Sequence, residues 1–147
     1  MKTIFDQPTL HQLKERIQSL SPDSTALWGK MTAYQMLRHC TKSEEMFLGM
    51  KTYKRLFIGR LFGPMALRGI LKDESPMKKN QPTHPEFKIS GSGNFEAEKE
   101  KWINLLNAYD RSAVRAFVHP FFGEMTRDQI GQYVFKHTDH HLRQFNH

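Results

Sequence analysis

The chain has 147 residues, of which 38% are hydrophobic, and a formal net charge of +7. That length predicts one domain, 1–147, with a real core, and no apolar run reaches the length of a membrane span. A single cysteine, Cys40, excludes an internal disulfide and a cysteine-rich zinc motif. The N-terminus carries no apolar leader, so the expected compartment is the cytoplasm. Between Lys51 and Lys88, nine basic residues face three acidic ones, so this segment alone carries +6. Most such charge is solvated decoration, but a local positive surface also suits an anionic small molecule, a membrane or nucleic acid.

Thr9 and Gln12 have capping-box spacing and predict a helix to about Leu20, with Leu10, Leu13, Ile17 and Leu20 inward. Ser21-Pro22-Asp23-Ser24 reads as a stop, and Trp28 reads as an apolar anchor over a helix end. Thr32 and Gln35 open a second helix, with Ala33, Met36, Leu37, Cys40, Phe47 and Leu48 inward. His39 borders that stripe, and Cys40 reads as a small buried hydrophobe.

From Lys51 to Lys72 the chain is apolar and basic together. Gly59, Gly63-Pro64 and Gly69 predict short helical pieces there, with Arg55, Arg60 and Arg68 rimming a pocket or a membrane interface. Residues 73–93 carry several turn signals and predict a long loop over a cleft, with an extended piece at 87–89. Asn94 caps a further helix whose stripe is Phe95, Trp102, Leu105, Leu106 and Tyr109. Residues 113–122 read as an irregular connection, with a structural hydrogen bond expected for His119.

The last helix opens at a Thr126–Gln129 capping box. Its inward stripe, Ile130, Val134, His137, His141 and Phe145, runs through two histidines four residues apart. If His39 projects inward, it meets His137 and His141 in the centre of the fold. Three neutral imidazoles suit zinc, nickel, iron or cobalt and leave positions open for water or substrate, the arrangement of a catalytic site. The ion would lower the pKa of a bound water or thiol. Gln144 is placed to hydrogen-bond at this pocket, and His140 points to a flank without a ligand role. Four main helices and one elaborated crossover predict an all-α fold, a four-helix bundle whose crossover joins the second and third main helices.

Four segments carry a resemblance: WGKMTAYQMLRHC from Trp28, MKKNQPTHPEF from Met77, HPFFGEMT from His119 and HTDHHLRQF from His137. Over nearly its whole length the chain resembles the DinB/YfiT-like superfamily of metal-dependent proteins, and within it a branch known as a domain of unknown function. The resemblance implies a four-helix bundle holding zinc or nickel through His39, His137 and His141. Some members transfer low-molecular-weight thiols or isomerise their adducts. Many members carry glycine before the glutamine of the last motif, where this chain has Arg143 before Gln144.

The leading expectation is therefore a metal-dependent transfer of a small thiol to an electrophilic substrate, with Arg55, Arg60 or Arg68 pairing with its carboxylates. A metal-dependent hydrolase and a non-catalytic stress-related binding protein are the alternatives. A hydrolase lacks an obvious general base in the final motif. No recognition motif supports nucleic-acid binding. Phe57, Phe62, Leu67, Phe121 and Phe122 are more loop hydrophobicity than a small monomer needs, which predicts a homodimer.

Overall fold

The computed structural model describes residues 1–109 and 116–147. It is mostly helical: α1 (Gln7–Gln18), α2 (Ala33–Phe47), α3 (Phe57–Ile70), α4 (Phe95–Ala108) and α5 (Arg127–Gln144), with strands β1 (Ala116–His119) and β2 (Gly123–Thr126). α2 packs along α4 and against α5, and α1 packs against α4 and α5. The shared core is built from the predicted stripes. Leu10, Leu13, Ile17, Met36, Leu37, Trp102, Leu106, Ile130, Val134 and Phe145 are all buried. No helix among the described residues is long and apolar enough to cross a membrane.

Both predicted capping boxes of the long helices form. Thr32 accepts from Gln35 N while Gln35 returns a bond to Thr32 N, and Thr126 and Gln129 do the same. Asn94 caps α4 through Ala97 N. The start of α1 differs from expectation. Asp6, not Thr9, is its cap, accepting from Thr9 N at 3.0 Å. Pro8 explains the shift: proline fits the first turn, where its missing N–H has no helical partner to lose.

Two further expectations are corrected. The mostly helical structure agrees with the all-α expectation apart from one small addition, since 116–126 forms an antiparallel hairpin in which Phe117 pairs with Met125 and His119 with Gly123. That hairpin corrects the irregular connection expected over 113–122, where 116–119 is strand β1 and 120–122 is its turn; residues 113–115 lie outside the described residues. His119 closes the turn, its Nδ1 accepting from the backbone N–H of Phe121 and of Phe122, each at 3.1 Å. Burial pushes its pKa down to about 3 and keeps the ring neutral, as an acceptor must be.

The second correction is α3, one helix rather than several pieces. Its glycines are contact points, not breaks. Gly59, Gly63 and Leu67 form its buried side, laid across the hairpin turn. A Cβ on Gly63 would lie 2.0 Å from the Phe121 carbonyl oxygen. Only a bare backbone allows that approach. Gly69 has open space where its side chain would be. Gly63→Ala is thus expected to destabilise by about 1–3 kcal/mol through overpacking, and Gly69→Ala to stabilise by up to about 1 kcal/mol through helix propensity. Urea unfolding of the two variants checks the opposite signs.

Candidate metal centre

α2 and α5 meet at the point where each turns a histidine inward. His39, His137 and His141 are all buried, and one ligand atom from each lies within 4.8 Å of the others. The three histidines predicted from spacing are thus brought together, as a group able to hold a metal ion.

Hydrogen bonding fixes two of the three tautomers. His39 Nδ1 lies 3.0 Å from the Phe87 carbonyl, which can only accept, so Nδ1 carries the proton and Nε2 keeps its lone pair. Gln144 Nε2 donates to the Trp28 carbonyl at 2.8 Å, which turns Gln144 Oε1 toward His141 Nδ1 at 2.9 Å. That oxygen can only accept, so His141 Nε2 is also a free lone pair. His137 Nε2 lies 3.2 Å from His39 Nε2, and His137 Nδ1 is buried with no hydrogen-bond partner among the described residues. Two nitrogens held tetrahedrally by one ion at about 2.0–2.1 Å would stand about 3.3 Å apart, so the spacing of the His39–His137 pair fits a shared ion.

Burial lowers the pKa of all three imidazoles, and the neighbouring histidines lower those of His137 and His141 further. The neutral form is the one that ligates a metal. Carbonyl and amide partners on His39 and His141 are the outer contacts that orient metal-binding imidazoles. The donor set therefore fits a borderline divalent cation.

The histidines open on a cavity of about 380 Å³. Its far wall is the 73–93 loop, through Met77, Asn80–Thr83 and Phe87–Ile89, so that loop does cover a cleft. A 3-10 turn at Pro85–Phe87 delivers the Phe87 carbonyl to His39, and of the extended piece expected at 87–89 Phe87 belongs to that turn while Lys88 is extended. Trp28, read from sequence as an anchor over a helix end, lines the cavity with Lys79 over its ring at 4.4 Å. Its role was hidden because the partners lie more than fifty residues away. His140 also lines the cavity, its ring 5.2 Å from that of His141, but is not one of the ligand group.

Lys30 and Lys88 line the cavity, and among the described residues no aspartate or glutamate does. Arg55, Arg60 and Arg68 are not among its lining residues; α3 leans on the hairpin instead, and so removes them from the role expected of them. Cys40 is buried, its thiol pushed well up by desolvation, and it packs against Met36 as expected of an inert core cysteine.

A family model described as "Protein of unknown function (DUF1569)" matches residues 3–147. The chain belongs to the DUF1569 family. None of the curated proteins matches this DUF1569 chain, and none of the solved structures does.

Proposed function

We propose that this DUF1569 protein is a divalent-metal-dependent enzyme that joins a low-molecular-weight thiol to an electrophilic substrate, on a four-helix bundle of the DinB/YfiT type. The packing of α1, α2, α4 and α5 around one core supports the bundle. The observation that carries the function is the pair of lone pairs, on His39 Nε2 and His141 Nε2, that hydrogen bonds aim inward beside His137 and an open cavity. A structural zinc site closes with four protein ligands, whereas three leave room for an exogenous one. Zinc or nickel suits the imidazole set, and when bound it supplies Lewis-acid stabilisation of a thiolate.

The chain's own residues do the rest. His39 and His141 are held in their ligating tautomers by Phe87 and Gln144. Lys30 and Lys88 give the cavity a positive wall for an anionic thiol, taking the role first expected of the arginines. Among the described residues no carboxylate lines the cavity to serve as a general base for water, which supports thiol transfer over hydrolysis. A cavity of this size holds a small molecule.

The test is metal analysis of protein purified without a histidine tag, followed by thiol-consumption assays with several small thiols and an alkylating dye. One ion per chain and metal-dependent thiol consumption are the expected results. Full metal with no turnover of any thiol would reassign the chain to the non-catalytic binding class. Failure to take up zinc or nickel on reconstitution would return the histidines to a hydrogen-bonded core.

A further inference from the structure

The burial of α3 is inverted. Its inward face is glycine and leucine, and its largest side chains point outward. Phe57 is 77% exposed, Leu61 63% and Met65 65%, with Ile58 and Phe62 also at least half exposed. Positions 57, 58, 61 and 65 fall on one side of a helix, so these residues form a continuous apolar ridge. From Phe57 to Met65 it is about 12 Å long by helical rise. Exposed apolar surface that is contiguous marks an interaction site.

The charge around the ridge says what covers it. Residues 51–72 contain Lys51, Lys54, Arg55, Arg60, Arg68 and Lys72 and no acidic residue. Lys51 pairs with Glu45 and Lys72 with Asp73. Among the described residues, Lys54, Arg55, Arg60 and Arg68 have no carboxylate within ion-pair range. A homodimer through this face would set the same cations against one another, because a two-fold interface meets itself. Leu67 and Phe122, two of the residues that suggested a dimer from sequence, are in fact buried. An apolar ridge flanked by unpaired cations instead complements a surface that is apolar inside and negative outside.

We propose that the outer face of α3 docks this protein on anionic lipid membranes. Phe57, Ile58, Leu61 and Met65 enter the acyl boundary, while Arg60 and Arg68 extend their heads to lipid phosphates and carboxylates. The helix lies in the interface and does not span it, consistent with its fourteen residues. Pro64 is exposed, and the Arg60 carbonyl that loses its helical donor to this proline lies near the headgroup level. This docking is independent of any ion at the histidines.

Vesicle co-sedimentation of the whole chain tests the proposal, using phosphatidylcholine alone and phosphatidylcholine mixed with phosphatidylserine. Binding to the mixed vesicles is expected to exceed binding to neutral ones by at least about tenfold and to weaken with salt. Phe57→Ser with Leu61→Ser should lower it by at least about tenfold. Arg60→Gln with Arg68→Gln should lower it by about thirtyfold, from about 1 kcal/mol per cation near the surface. All four substitutions fall on exposed positions, so helix content by circular dichroism and metal content should match wild type. Equal binding to neutral vesicles, or unchanged binding of both double variants, overturns the proposal. So does a wild-type dimer in sedimentation that Leu61→Asp splits, without vesicle binding, which would give the ridge to a second copy.

Discussion

Alanine at His39, His137 and His141 together is expected to abolish metal binding while leaving the helices in place. The side chains converge from α2 and α5, whereas the caps and the apolar side chains that hold those helices are other residues. Alanine is also the best helix former. Any one of the three changes should weaken zinc or nickel affinity by more than about a hundredfold, since loss of an outer contact alone costs ten- to a hundredfold. His11 is exposed, pairs with Glu15 on its own helix and is not one of the ligand group, so His11→Ala should bind metal as wild type does. Stability should follow. With free metal at about a thousand times Kd, binding adds about 4 kcal/mol to the folded state, a rise of roughly 10 °C in Tm at this chain length. Calorimetric melts with and without zinc should show that rise in wild type and not in the triple variant. Stoichiometric metal in the triple variant would refute the assignment of these three ligands.

The second large effect concerns Glu44, a fully buried carboxyl in α2. Desolvation raises its pKa to about 7. The Tyr109 hydroxyl donates to its Oε2 at 2.5 Å and offsets part of that rise. The Trp102 indole N–H faces the same carboxyl without closing a hydrogen bond of good geometry, and Oε1 has no partner among the described residues. The folded chain therefore holds this proton more tightly than the unfolded chain does, where the ordinary value is 4.5. Between those two values the native state binds more protons, so stability falls as pH rises. A shift of that size corresponds to about 3 kcal/mol, fully lost above pH 7. Glu44→Gln cannot ionise and keeps an acceptor for Tyr109, so the variant should lack this pH dependence and exceed wild type in stability at pH 8. Urea midpoints at pH 5 and pH 8 decide it: a wild type that gains stability over that interval relative to Glu44→Gln would contradict the buried-acid reading.

Local signals in the chain were reliable where the physics is local. Thr32–Gln35, Thr126–Gln129 and Asn94 satisfy orphan amides within one turn, and their spacing alone announces them. The histidine pair on α5 belongs to the same class, because a four-residue step on a helix is a direction in space. His39 needed one more step, a guess about which way α2 faces. Failures cluster where meaning depends on a distant partner. Gly59 and Gly63 have breaker composition, but the Phe121 backbone that needs their bareness lies about sixty residues away. Trp28 and Lys30 join the cavity only because the 73–93 loop folds over α2 and α5. The hairpin was missed because AFVH and GEMT are each too short to announce a strand. Asp6 was passed over because Thr9 offered a fuller pattern, though the proline between them marks the earlier start.

Gln144 spans two functions with one amide. Its oxygen holds the His141 proton and its nitrogen holds the Trp28 carbonyl. The next residue, Gly29, has φ +82, and a Cβ there would meet Gln144 Nε2 at 2.8 Å. The amide is therefore polarised in space, with one permissible orientation. In hereditary terms, Trp28, Gly29, His141 and Gln144 form a linked block across more than a hundred residues of chain. Drift at Gly29 displaces the amide, and drift at Gln144 frees both a ring tautomer and the Trp28 segment of the cavity wall. The permitted mutational paths through this corner are those that change both ends together, so the first neutral step toward a different chemistry has to begin elsewhere on the cavity wall.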